Sequence, residues 1–190
     1  LKKSFLLKED RWFYYHPGIN PVAVGRAIVN NVLRWRVTSG ASTITMQVVR
    51  LLEPRPRNLW SKAIETIRAL QLEWRYSKTE ILQLYLNLVP MGGNIEGIKS
   101  ASWLYFNKNP DHLSLAEITA LSIIPNRPTS LRMGRNNALI VSERNRWLQQ
   151  FEKDGLYPHN DIADAIAEPL TATRLPVPRM APHLSQRLRN

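Results

Sequence analysis

No cysteine occurs among the 190 residues. That absence removes disulfide frameworks and thiolate metal sites, and it leaves the redox compartment open. Nor is there an apolar run of about 18 residues, so no segment reads as a bilayer-spanning helix, and the start lacks a signal-peptide pattern. If the protein is exported or anchored, the responsible segment lies outside this sequence. Acids are scarce: 15 Asp and Glu stand against 26 Lys and Arg, a net charge of +11. Residues 1–60 hold ten of the cations and three of the acids, so +7 of the excess gathers in the first third. Such a field calls for an anionic partner: nucleic acid, a phospholipid surface or a phosphate-bearing substrate. Alternating strand patterns, G-x-G-x-x-G, a Walker loop, H-E-x-x-H and Ser-x-x-Lys are all missing, which argues against the nucleotide, zinc-protease and serine-acylase classes.

What is present suffices for one domain with a real core, at 44% hydrophobic and 22% charged residues. The stretch KEDRWFYYHPG, residues 8–18, sets Glu9 and Asp10 beside Trp12, Phe13, Tyr14 and Tyr15. A carboxylate against aromatic surface loses hydration, which raises its pKa and suits it to general acid or base work. The same acids also suit a plain role at a helix end, with the aromatic residues entering the core.

Helix signals follow in series. Asn20-Pro21 opens a basic amphipathic stretch running to about Arg36, suited to a core or to a membrane surface. GASTITMQVVR, 40–50, reads as a Gly-Ser-Thr turn entering a helix, a place where amides and hydroxyls meet anionic oxygen. LLEPRPRNLW, 51–60, is expected to be an irregular loop. From 60 to 75 the period is helical, and Trp60, Ile64, Ile67, Leu70 and Trp74 share one arc, the expected buried stripe. Glu65 lies off that arc between Lys62 and Arg68, a surface ion ladder or an acid among phosphate-binding cations.

Ser77-Lys-Thr-Glu80 and Ser114-Leu-Ala-Glu117 are capping boxes. The helix after the first, apolar nearly all round, is expected at the centre of the core. Gly97 and Ala101 invite close approach of another helix, and Trp103 and Tyr105 read as core. Residues 126–135 read as a basic loop, with further helices at 136–153, closed by Gly155, and at 160–167. The expected domain spans 1–170, followed by a proline- and arginine-rich linker over 171–190.

Five stretches in order resemble one family: EDRWFYYHPG at 9–18, GASTITMQ at 40–47, KAIETIRALQLE at 62–73, KTEILQLYLNLVPMGGNIEGIKSASWLYF at 78–106 and LSLAEITALSIIPNRPTS at 113–130. Together they are similar to the glycosyltransferase family 51 module of class A penicillin-binding proteins. The resemblance implies an all-α, lysozyme-like fold with a large helical lobe and a smaller membrane-facing jaw. It implies a processive transferase that polymerises lipid II on the outer, periplasmic face of the bacterial cytoplasmic membrane. A transpeptidase domain is expected beyond the linker, and nucleic acid is not an expected partner.

By the same resemblance Glu9 is the base that takes the acceptor hydroxyl proton, and Glu65 assists the departing undecaprenyl pyrophosphate directly or through a divalent cation. Magnesium or manganese is therefore a conditional cofactor, with no metal ligands identifiable. Gln47, Arg50, Arg57 and Lys62 match pyrophosphate-holding residues, with Ser42 and Thr43 at the turn before them. His16 reads first as a structural hydrogen-bond partner near Glu9, and Asn87 as lining the cleft or capping an interior group. Met46, Ser61 and Ala41 depart from the family pattern and are expected to cost contacts near the pyrophosphate.

Two other classes remain on the residues alone. A basic helical nucleic-acid-binding domain would explain the charge, but no helix-turn-helix or RNA-binding signature is present. A lytic muramidase would share the fold, but needs sugar subsites and water where Arg50, Arg57 and Lys62 suit phosphate.

Overall fold

A computed structural model describes residues 1–23, 25, 42–56 and 58–175. The described residues are predominantly helical and contain no strand beyond one isolated antiparallel bridge between Pro90 and Glu96. In chain order the helices are α1 (Lys2–Glu9), α2 (Ile44–Leu52), α3 (Leu59–Arg75), α4 (Lys78–Leu88), α5 (Ile98–Phe106), α6 (Leu115–Ile123), α7 (Asn137–Lys153) and α8 (His159–Ala167). Most of the stretch expected as a helix over 20–36 lies outside the described residues. Its beginning is seen: the Asn20 side chain accepts from Ala23 N at 3.0 Å, the hydrogen bond of an N-cap.

Local chemistry explains the boundaries. Thr43 caps α2 by accepting from Met46 N, Asn58 caps α3 by accepting from Ser61 N, and both capping boxes close, at Ser77–Glu80 on α4 and Ser114–Glu117 on α6. Gly155, at φ +64°, ends the turn after α7 in a left-handed conformation open to glycine without strain. Arg144, 1% exposed, donates to the carbonyls of Ile166 and Glu168 at 3.2 and 2.8 Å and so satisfies the C-terminus of α8.

The main core joins Phe5 and Phe13 to Ile44 and Val48 of α2, Ile81, Leu82 and Tyr85 of α4, Ile98 and Ala101 of α5, and Ala120 and Leu121 of α6. A second cluster, Ala116, Leu148, Phe151, Ile162 and Ala165, ties α6 to α7 and α8. The most enclosed helix is α6, seven of whose nine residues are buried. The apolar α4 instead buries Ile81, Leu82 and Tyr85 and leaves Leu84 and Leu86 half-covered at the core's margin. Tyr105 is buried as expected, whereas Trp103 is 47% exposed. Within 171–175, Ala172 is buried in the main core and Leu175 N donates to Leu104 O at 2.9 Å, so this stretch packs on the domain.

The expected stripe on α3 is reversed. Trp60, Ile67, Leu70 and Trp74 are 75, 57, 42 and 93% exposed, while Ser61, Glu65 and Ala69 are the buried residues. The apolar arc marks α3 as amphipathic without saying which arc meets the domain. The inward face is chosen by small residues that allow close approach: a Cβ at Gly18 would sit 3.0 Å from Ala69 O. Glu65 turns inward with its charge compensated.

Gly97 opens α5 at φ +77°, and a Cβ there would lie 2.5 Å from the carbonyl oxygen of Asn87. Gly97→Ala is expected to lower stability by roughly 2–3 kcal/mol, combining left-handed strain with a backbone clash. Urea unfolding at neutral pH measures it, and an unchanged midpoint contradicts the tight α4–α5 approach.

Candidate active site

The site is assembled on one face of α2. Gln47 and Arg50 stand three residues apart, about 4.5 Å along the helix axis, and therefore project side by side. Gln47 Nε2 donates to Glu9 Oε2 at 3.3 Å, and Arg50 grips Glu65 through Nε to Oε1 at 2.8 Å and a terminal nitrogen to Oε2 at 2.9 Å. The two carboxylates singled out in the sequence thus meet neighbouring positions of the same stripe.

Glu9 is the last residue of α1, and its side chain is only 6% exposed. The exposed aromatic residues of the 12–15 run do not enclose it: Lys8 Nζ lies 2.5 Å from Oε1, and Trp12, Tyr14 and Tyr15 are 57, 52 and 81% exposed. With the Asn126 amide oriented to satisfy both its atoms, its nitrogen donates to Glu9 Oε1 at 3.2 Å and its oxygen accepts from Lys8 at 2.8 Å. Tyr85 lies on the buried side, its hydroxyl without a partner among the described residues. Burial pushes the Tyr85 phenol well above its ordinary range, and the Glu9 charge adds to the effect.

Asp10 points the other way. Its carboxylate accepts from the backbone N–H of Ile44, at the start of α2, at 3.0 Å, and lies 2.9 and 3.1 Å from Nε2 of His16. The anion thereby meets the positive end of the α2 dipole. His16 is buried against Asp10, not against Glu9. The loop is fastened again by Lys78, which donates to His16 O at 2.6 Å and Glu73 at 2.7 Å and sits 4.4 Å from the centre of the Phe13 ring. Thr45 donates to the same Glu73 carboxylate.

Around Glu65 the charges are interlocked. Lys62 Nζ reaches Oε2 at 3.2 Å, and the Ser42 hydroxyl accepts from both Lys62 at 2.6 Å and Arg50 at 3.1 Å. Burial alone would raise the Glu65 pKa; the Arg50 and Lys62 contacts outweigh it and hold the carboxyl below its usual range. Burial lowers the Lys62 pKa with help from the Arg50 charge, and the hydrogen bond to Glu65 raises that of Arg50. The cations keep half-exposed faces, with 37% of the Arg50 and 38% of the Lys62 side chain open to solvent.

Ser42, Gln47, Arg50, Lys62, Glu9 and Glu65 therefore come together. Thr43 does not present its hydroxyl to this surface: it is buried, donates to Gly18 O at 2.6 Å and caps α2. Asn87 is exposed on α4 and makes no side-chain hydrogen bond to these residues. Arg57 lies outside the described residues, as does Ala41. Met46, one of the departures, packs against Val49 and Ala69 beneath the site, and so removes no polar group from it. Ser61, another, is buried in the first turn of α3.

Lys8 and Asn126 were not legible as site residues. Adjacent positions of a helix diverge by about 100°, so Lys8 beside Glu9 in sequence does not imply contact in space. Among the described residues no group of three His, Asp or Glu could hold a metal ion. Glu65 already carries a guanidinium and an ammonium and, among the described residues, belongs to no cluster of ligating side chains, so these residues do not fit a protein-held divalent cation. Cavities of about 250 Å³, beside Val49 and Arg68, and 410 Å³, beside Arg132 and Arg174, contain neither Glu9 nor Glu65.

Comparison with known families shows the membership: the transglycosylase family matches residues 1–152, and the chain belongs to it. The chain is 42% identical over 178 residues to penicillin-binding protein 1C of Escherichia coli, covering 94% of this chain and 23% of that protein. This agrees with the Thr45-Met46-Gln47 variant and the Pro-Arg-Met-Ala-Pro-His-Leu tail, which look most like the 1C branch. It is 33% identical over 172 residues to penicillin-binding protein 1A of Aquifex aeolicus, covering 90% of this chain and 24% of that protein. The crystal structure of penicillin-binding protein 1A from Haemophilus influenzae shares the fold, with a TM-score of 0.52 and 20% identity over 77% of this chain and 19% of that one. The chain thus spans about a quarter of the length of the curated relatives it matches.

The lowered Glu65 pKa has a defined consequence. The stability from this pair is present in full above the ordinary glutamate value of 4.5 and is lost as pH falls through the lowered one. The gap in urea midpoint between the wild type and Glu65→Gln is expected to hold at neutral pH and to close only below pH 4.5. A gap closing above that value contradicts the paired geometry.

Proposed function

We propose that this domain is a peptidoglycan glycosyltransferase that polymerises lipid II into glycan strands, with Glu9 as general base and undecaprenyl pyrophosphate as leaving group. The observation that carries the reading is the pairing of two differently treated carboxylates on one stripe of α2. Among the described residues Glu9 meets Lys8, Gln47 and Asn126 and no guanidinium, whereas Glu65 is locked by Arg50 and Lys62.

In the proposed step the 4-hydroxyl of the acceptor sugar gives its proton to Glu9 as its oxygen bonds to the anomeric carbon of the growing chain. The bond from that carbon to phosphate breaks on the opposite face, its electron pair leaves with the pyrophosphate, and configuration inverts. Negative charge then develops where Arg50, Lys62 and the Ser42 hydroxyl stand ready, the arrangement that lowers such a barrier. Glu65 assists the departure by fixing the two cations. With its carboxyl held below the usual range, it is a countercharge and not a proton donor. Arg57 is proposed to join the same cradle.

A lipid-borne substrate suits the exposed apolar face of α3, where Leu59, Trp60 and Trp74 are 91, 75 and 93% exposed. No described helix is long and apolar enough to cross a membrane. We assign this face to a smaller lobe at the membrane's periplasmic surface, in a longer protein that continues into a transpeptidase domain.

Labelled lipid II in detergent, resolved on gels as glycan chains, tests the reading. Glu9→Gln is expected to lower the rate by roughly 10²–10⁴ with the helical circular-dichroism signal unchanged. Retained polymerisation removes Glu9 as the base. Degradation of finished cell wall without lipid II turnover replaces the transferase by a hydrolase.

A further inference from the structure

Lys8 is 1% exposed along its side chain, its ammonium lies 2.5 Å from Glu9 Oε1, and its only other polar partner among the described residues is the Asn126 amide oxygen at 2.8 Å. A buried ammonium is costly unless paired, so this placement needs a reason. Glu9 ends α1, where the negative pole of the helix dipole opposes a carboxylate, and a cation in the same turn offsets that pole.

The contacts also divide the two oxygens of Glu9. Among the described residues Oε1 is held by Lys8 and Asn126, whereas Oε2 has only the longer contact from Gln47, at 3.3 Å. We propose that Lys8 is a positioning residue that, together with Asn126, clamps one oxygen of Glu9 and leaves Oε2 directed at the proton to be removed. The proposal rests on the assignment of Glu9 as base. Lys8 is too enclosed to reach substrate and acts through Glu9 alone.

The groups facing the pair come from four elements besides α1: Gln47 of α2, the neutral Tyr85 phenol of α4, Asn126 after α6, and Glu143 and the Trp147 ring of α7. Glu143 is itself paired with Arg146 at 3.0 Å. Burial, the largest influence, lowers the Lys8 pKa from 10.5, while Glu9 and Glu143 pull it back up. Raising pH therefore discharges Lys8 below the ordinary lysine range, and the clamp is lost with the charge.

Polymerisation of lipid II by the intact protein, followed across pH for the wild type, Lys8→Met and Lys8→Arg, tests the assignment. Lys8→Met is expected to lower kcat roughly ten- to hundredfold, the weight of one charge-assisted hydrogen bond, with little change in KM and no alkaline limb from this residue. Lys8→Arg keeps its charge at all working pH and is expected to restore most of kcat while moving the alkaline limb upward. Wild-type kcat and pH profile in Lys8→Met overturn the proposal. So does an equal loss in both variants with a lowered unfolding midpoint, which marks a filler of space. Glu9→Gln measured alongside separates the two levels: if it polymerises, the assignment of the base fails first; if it is inert while Lys8→Met behaves as wild type, only the clamp fails.

Discussion

The Asp10 carboxylate holds this site together. It accepts a hydrogen bond from Ile44 N–H, faces His16, and is 7% exposed, so the anion is compensated by the amino end of a helix and by an imidazole and not by water. One interaction thereby fastens the 9–18 loop to the first turn of α2. Everything chemical in the domain then depends on the rotation of α2 about its axis, which carries Gln47 to Glu9 and Arg50 to Glu65. The Lys78 and Glu73 contacts reinforce the same junction from α3 and α4, and Gly18 admits α3 close enough for this to occur.

From that junction the excess of positive charge acquires a structure. Arg50 and Lys62 are not free cations on a surface; they share Glu65 and Ser42, which fixes their direction while about a third of each side chain stays open. A carboxylate between two cations lowers their mutual repulsion and still leaves net positive charge for an incoming phosphate. Glu9 is treated oppositely, with a single buried ammonium and two amides among the described residues. Two glutamates of one residue type so acquire different duties from their neighbours alone.

The outward apolar face of α3 belongs to the same logic. Because Glu65 must face Arg50, and Ala69 must face Gly18, the opposite arc with Trp60, Ile67 and Trp74 is left outside. The site chemistry thus decides where the large apolar side chains of this helix go, in opposition to the usual preference for burying them.

What the sequence determined by itself was local or additive. Helix starts at Thr43, Ser77 and Ser114 and the stop at Gly155 rest on bonds spanning a few residues, and net charge is a sum over the chain. The ordered stretches from Glu9 to Ser130 also carried family membership. Tertiary structure alone decided the partners: Asp10 with Ile44, 34 positions on, Gln47 with Glu9, 38 apart, and Lys8 with Asn126 in the turn after α6. Periodicity could show that α3 has two unlike faces but not which is buried. That choice is made by what α3 meets, Gly18 at Ala69 and Arg50 at Glu65, through close approach at small residues and compensation of a buried charge, and the period of the helix does not contain it.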